Sequence, residues 1–459
     1  MNHCGLLLTA ILTAAVVAQQ ALGQVNRKHT ETLLGPFPAE VRDSALIGPD
    51  GRRIVWIQKT ASAQAVVLDG RRQESFERVT ALTFSPDGRR FAYAASKDGK
   101  WYVKRDGATD GPFERVGPPV FNVDGSTLAH VAMTADGNRV VVTNGVPGQP
   151  YEMISAGLIE FSPDGRRTAY GGVRQGQCYL VVDGRELGPY QDLGTRTGYR
   201  FSPDGSRLAF VAMFDNKLSV VVDGERGPGC HDVGQVVFSP DGTRLAHAMQ
   251  ESAGGPWRVV VDEQPQAAYD TLGDGSLEFS PDGSRLVHAG RSGGKWCLVV
   301  DGTEGRKCDG IAEIKFSDGG ESLAYVAQSE QTETVVLDGR PQRTFDNIGG
   351  GSLVFSPGGR KLAYEARSGW ARFVVVDGKR KGRYAMVGYL TFSPDGRHYA
   401  YAATQEDEAF TVVDDQEAAH RYDAIWNAGG EKLRFDHRKK FHYMAIKEGN
   451  ILLVEEEVD

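Results

Sequence analysis

What the chain lacks narrows it before anything present does. No window places apolar residues at helical spacing, which excludes helical repeats. Basic residues are scattered among acidic ones, and a formal charge of -8 with a pI near 5.8 argues against a nucleic-acid partner, which needs a basic surface. After residue 18 no apolar run approaches the length that spans a bilayer, so no membrane span is expected in the mature chain. His-Glu-x-x-His, Cys-x-x-Cys and the phosphate-binding loop are all missing, no Gly-x-Ser-x-Gly stands at a strand-to-helix elbow, and no α/β-hydrolase segment follows the last repeat. No catalytic constellation stands out, and no metal or cofactor is expected. Linkers, composition shifts and charge runs are absent too.

What the chain has is a repeat. Phe-Ser-Pro-Asp-Gly opens at Phe84, Phe161, Phe201, Phe238, Phe279 and Phe392, with looser copies at Ile47, Phe121, Phe316, Phe355 and Trp426. The eleven anchors are separated by 37, 37, 40, 40, 37, 41, 37, 39, 37 and 34 residues. A period near 40 with several short strands per unit is the signature of propeller blades.

Each unit reads as four strands. The first ends at the anchor. Ser-Pro-Asp-Gly follows as a turn, in which Pro presets φ, Asp bonds its own backbone and Gly supplies positive φ. The second strand is Leu-Ala-Tyr-Val-Ala or a variant, its alanines implying close approach of neighbouring sheets. The third is Val-Val-Val-Asp-Gly, as in Val374–Gly378. Consecutive β-branched residues without alternation predict burial on both faces, and Asp-Gly a tight hairpin. The fourth carries an aromatic: Phe76, Phe113, Tyr190, Tyr269, Phe345 or Tyr384. Such units are stable only when stacked radially.

On these residues the chain, from about Leu33 to its end, resembles the TolB-type propeller repeat, a relative of the WD repeat built on Phe-Ser-Pro-Asp-Gly-x-x-Leu-Ala-Tyr. The Gly-His and Trp-Asp pairs of true WD repeats are absent. The resemblance implies export to the periplasm and a role in binding proteins or small ligands. The family also includes propellers that cap prolyl-oligopeptidase-like serine peptidases, a branch whose catalytic elements are missing here.

The two ends complete the picture. Residues 1–23 read as a signal peptide, with an apolar run from Leu6 to Ala18 and small residues at Ala21-Leu22-Gly23, although the only positive groups ahead of it are the amine and His3. The mature array, 24–459, is therefore expected in the periplasm or secreted. The last repeat stops after its third strand, at Ile451–Glu456, while Leu34-Gly-Pro-Phe37 matches the fourth-strand pattern. Residues 32–41 are thus expected to close the blade begun at Trp426, removing an open edge. Eleven blades form either one large ring or two tandem rings of five and six. The unbroken period favours one.

Both Asp-Gly turns emerge on one face, so that face carries a double ring of carboxylates, each read as holding its own turn. The opposite face carries the variable loops, where Trp101, Arg174, Lys217, Trp257, Arg291, Trp296 and Trp370 are candidate contacts for a protein or cell-envelope ligand. His130, His247 and His288 take the aromatic place of the second strand, and read as buried substitutes for Tyr or Phe. Of the four cysteines after residue 23, Cys297 and Cys308 flank one hairpin and are a candidate disulfide. The residues before the anchors suggest two inter-blade ion pairs, Glu160 with Arg200 and Glu278 with Lys315. The functional expectation is a non-catalytic binding scaffold. The alternatives are an enzyme with its site at the channel mouth, or a stand-alone relative of the peptidase cap.

Overall fold

A computed structural model describes residues 24–25, 27–36, 45–154, 159–194, 198–426 and 433–458, so the leader-like residues 1–23 lie outside it. All regular structure among them is β, in eleven sheets of four main antiparallel strands. Blade 5 shows the pattern. Its inner strand ends in Tyr199–Phe201, followed outward by Leu208–Phe214, Lys217–Val222 and the short Glu225–Arg226. Anchor Phe201 pairs with Leu208, and Val220, Val221 and Ala209 are buried. The second-strand alanine is fully buried in blade after blade: Ala92, Ala129, Ala169, Ala209, Ala246, Ala324, Ala363 and Ala400. A larger side chain there would hold adjacent sheets apart, and overpacking of that kind costs about 1–3 kcal/mol.

The blades form one ring. An apolar cluster joins every consecutive pair, from Val55, Val66, Phe84 and Phe91 between blades 1 and 2 to Ala400, Val413, Phe441 and Tyr443 between blades 10 and 11. A last cluster sets Ile47, Ile54 and Trp56 of blade 1 against Met444, Ile446 and Ile451 of blade 11. Two tandem rings would have to break one of these junctions, and none is broken. Fourth-strand aromatics cross the same junctions, edge-on to the next blade's second strand: Phe76 on Tyr93 at 6.0 Å, Phe345 on Tyr364 at 6.2 Å, Tyr384 on Tyr401 at 6.2 Å. Each such pair adds about 0.5–1.5 kcal/mol beyond area burial.

The ring is closed by the N-terminal segment. His29–Pro36 lies antiparallel to Asn450–Glu457, with Thr32 opposite Leu453 and Gly35 opposite Ile451. The closing strand therefore starts three residues earlier than residues 32–41, and residues 37–41 lie outside the described chain. Just before it, Gln24–Val25 adds a parallel strand to blade 10. Arg27, buried between the two blades, donates to Glu456 at 2.7 Å and to Thr411 Oγ1 at 2.9 Å. Tyr443 and Thr411 also donate to Glu456, at 2.6 and 2.7 Å, so this fully buried carboxylate has three partners. Burial, with Glu456 adjacent, drives the Tyr443 phenol far above its usual range.

One anchor needs correcting. Trp426 belongs to a short strand, Ala424–Trp426, that pairs with Met444, whereas Phe435 pairs with Phe441 and stands in the anchor position of blade 11. Phe435 and Phe441 lie with ring centroids 5.2 Å apart, the distance also seen between Phe84 and Phe91. Trp426-Asn-Ala-Gly-Gly mimics the turn motif in sequence, and its residues 427–430 lie outside the described chain.

Candidate binding faces

On the repeated-turn face the polar groups of most turns already have work. The aspartate of the outer turn, held at positive φ, accepts a hydrogen bond from the first backbone N–H of the second strand: Ile54 to Asp69 at 2.8 Å, Leu208 to Asp223 at 2.9 Å, Leu323 to Asp338 at 2.8 Å. This bond pins the two turns to the same end of the blade. In the inner turn the serine hydroxyl donates to the aspartate two residues on, at 2.5 Å in Ser202–Asp204 and Ser280–Asp282, and accepts the N–H that enters the second strand. Those serine bonds hold the Asp204 and Asp282 carboxyls down to about 2. Each carboxylate thus serves its own turn.

The same face holds a device that sequence reasoning missed. The residue two after the turn glycine is often arginine, and it staples neighbouring blades together. Arg207 pairs with Asp223 of its own blade at 2.9 Å, and donates to the Gly242 and Thr243 carbonyls of the next blade, each at 3.0 Å. Its guanidinium lies 5.2 Å from the centroid of that blade's anchor ring, Phe238. Arg53 and Arg167 repeat the set, and Arg244 and Arg285 repeat the aspartate and ring contacts. The signal was legible, because Arg recurs at a fixed place after Asp-Gly. Beside a surface turn it reads as a solvated charge.

A second inter-blade device lies on the inner strands. Gln235 exchanges both amide bonds with the Leu277 backbone of blade 7, and Glu313 accepts from the Ser352 and Leu353 N–H groups of blade 9 at 3.1 and 2.7 Å. Blades 6 and 8 have continuous inner strands, whereas those of blades 7 and 9 are interrupted by a glycine-rich loop. The alternating 37- and 39- to 41-residue anchor spacings record this alternation.

The alternation also explains the channel residues. Arg200 lies 3.1 Å from Glu160, across the inner strands Tyr199–Phe201 and Glu160–Phe161. Burial pushes the Glu160 carboxyl up, against the pull of Arg200. Glu278 and Lys315 make no ion pair within 4.0 Å, because an interrupted strand there meets a continuous one bulged at Glu313. The four described cysteines, Cys178, Cys230, Cys297 and Cys308, are free. Cys308 bridges to Trp296, one residue out of register with Cys297, so the two side chains leave opposite faces of blade 7. Cys297 packs with Tyr269 of blade 6 instead. His288 and His130 are buried beneath the edges of Tyr269 and Phe113. His247 and His288 are held down to about 4 by burial.

The variable-loop face is less committed. Lys217 and Arg291 are exposed and make no ion pair among the described residues. Trp370 is 68% exposed, with Arg383 lying 4.3 Å from its ring centroid, and Met386 at the same end of the next blade is 57% exposed. Met386 lines an open cleft of 460 Å³ with Glu365, Tyr389 and Asp423. Trp257 and Trp296 are half-buried and line separate clefts on the two sides of the blade-7 loop Gly273–Ser276. Trp101 is half-buried opposite Ser96 and Phe113. Arg174 is engaged within its own blade, donating to Glu186 at 2.8 Å and lying over Tyr179. The seven candidates therefore do not converge on one site.

Comparison with known proteins places the repeat. A family described as WD domain, G-beta repeat matches residues 67–103, from the third strand of blade 1 to the third strand of blade 2. The fold is a WD-repeat-like β-propeller. No curated protein matches the chain. Among solved structures it is similar to a eukaryotic initiation factor, with 14% identity and a TM-score of 0.42 over 74% of this chain and 96% of that one. It is also similar to the Dos1 propeller, with 12% identity and a TM-score of 0.32 over 65% of this chain and 91% of that one. TolB from Acinetobacter baumannii is a distant neighbour, with 17% identity and a TM-score of 0.26 over 55% of this chain and 62% of that one. Likenesses this loose carry no argument about function. Among the described residues no helix is long and apolar enough to cross a membrane.

Proposed function

We propose that this chain is an exported, non-catalytic scaffold that binds a protein or cell-envelope component through its variable-loop face. The observation that carries the reading is Trp370, 68% exposed under Arg383, with Met386 exposed on the adjoining blade. Trp and Arg are the residue types that dominate protein contacts, and a large exposed apolar side chain on a rigid scaffold marks a contact surface. Propellers of the WD-repeat kind commonly bind proteins, which supports a protein partner. The leader-like residues 1–23 support export. The scatter of perturbed groups supports a non-catalytic role, since Glu160 and Glu278 belong to blades 4 and 7 and the low histidines lie between blades.

The test is affinity isolation from envelope extract with tagged wild-type protein and the Trp370→Ala/Met386→Ser variant. A partner retained by the wild type and lost by the variant, with unchanged thermal unfolding, supports the reading. A partner equally retained by both, or a hydrolytic or lyase activity in the purified chain, overturns it.

A further inference from the structure

The inner turn of blade 9 departs from its counterparts in a way that points to a ligand. In six blades the turn serine donates its hydroxyl hydrogen to the turn aspartate, at 2.5–2.7 Å. Blades 8 and 9 have glycine where that aspartate stands, Gly319 and Gly358. Their serines still accept the backbone N–H that enters the second strand, Ser322 to Ser317 and Lys361 to Ser356, both at 3.0 Å.

The two blades resolve the loss differently. In blade 8 a Cβ placed on Gly319 falls on the Glu321 carboxylate, so a neighbouring acid takes up the space beside that turn. In blade 9 a Cβ on Gly358 meets nothing within 4 Å. The hydroxyl of Ser356, a residue only 1% exposed, has no acceptor among the described residues. Ser356 lines an open cleft of 540 Å³ with Arg360, Lys361, Arg397, Arg438 and one carboxylate, Asp395. Arg397 and Arg438 reach Asp395 only at 4.0 Å, and Arg360 has no ion-pair partner among the described residues. Four cations thus face one carboxylate on a chain whose formal charge is -8.

We propose that the blade-9 turn is an oxyanion site, in which a phosphoryl or carboxylate group accepts the Ser356 hydroxyl where other turns use their own aspartate. Arg360, Lys361, Arg397 and Arg438 supply the compensating charge, and guanidinium groups bind such oxygens in bidentate fashion. The site lies on the repeated-turn face, so it stands apart from the protein-binding reading of the opposite face.

The test titrates inorganic phosphate, and separately acetate, into the full mature chain at constant ionic strength, following backbone amide NMR shifts. The expected result is saturable binding centred on residues 356–361 and 395–397. Gly358→Asp, which supplies a tethered carboxylate at a position with room for it, is expected to weaken phosphate binding at least tenfold. Asp tolerates the positive φ of this glycine better than most residues do. Arg397→Gln/Arg438→Gln, which leaves the turn backbone alone, is expected to weaken binding about tenfold and decides the matter where the aspartate variant does not fold. Phosphate alone saturating identifies a phosphoryl ligand; acetate saturating equally identifies a carboxylate. Shifts that stay linear for both anions, or binding unchanged in both variants, would overturn the proposal.

Discussion

The two faces of this ring are made by the same eleven blades and use their side chains differently. On the repeated-turn face serine, aspartate and arginine are committed to backbone groups, in their own turn or in the next blade's. On the variable-loop face Lys217, Arg291 and Trp370 project without such duties. A repeat can conserve length and strand pairing only if some positions recur, and here those positions hold the assembly while the varied ones face outward. Recurrence in this sequence therefore marks structure. Departures from it, such as Gly358, mark candidate sites.

That division breaks first where the ring is closed. Arg27 and Glu456 are a buried pair joining the N-terminal segment to blade 11, outside the repeat altogether. Arg27→Met is expected to destabilise the fold by about 3–5 kcal/mol in urea unfolding, because it leaves a buried carboxylate without its cation. A loss below about 1 kcal/mol would show that the seam is held by strand pairing alone.

The blade junctions make a pH-dependent prediction. His288 is neutral in the fold, with its affinity for protons lowered to about 4 by burial, and its Nε2 has no partner. An unfolded histidine takes up its proton near 6.5, so this contribution is fully present above that pH and is lost as pH falls from 6.5 towards 4. The full loss is on the order of 3 kcal/mol. His288→Phe, the residue type blade 5 carries at Phe210, is expected to flatten stability over that window. An unchanged slope would contradict it.

Much of the fold was legible because each turn dictates its own geometry. Ser-Pro-Asp-Gly ends one strand and starts the next, and Val-Val-Val-Asp-Gly can only be a strand buried on both faces. What stayed illegible depended on register or on partners distant in sequence. The hairpin pattern in sequence sets Cys297 near Cys308, but the irregular stretch after Thr303–Glu304 pairs Cys308 with Trp296. Glu278 and Lys315 matched Glu160 and Arg200 in position, but not in the build of their strands. Arg27 is a lone residue more than 400 positions from Glu456 and carries no pattern to read. The arginine staples did recur, and only their contacts across the blade junction show what recurrence meant.

The smallest expected effect sharpens the comparison from the channel. Glu160 and Arg200 are 28% and 49% exposed at the side chain, so their pairing is expected to contribute less than about 1 kcal/mol in a double-mutant cycle. A coupling above about 2 kcal/mol would mean that the inner strands hold the ring as firmly as the staples do.

The central claim is that the repeated face holds the ring while the variable face is free to bind. It is tested most directly by urea unfolding of two matched triple variants. Arg167→Gln/Arg207→Gln/Arg244→Gln removes three staples, and Lys217→Ala/Arg291→Ala/Trp370→Ala strips three outward side chains. The account predicts a loss of about 3 kcal/mol or more for the first, and a change within about 0.5 kcal/mol per site for the second. Equal losses, or a greater loss from the variable face, would contradict it.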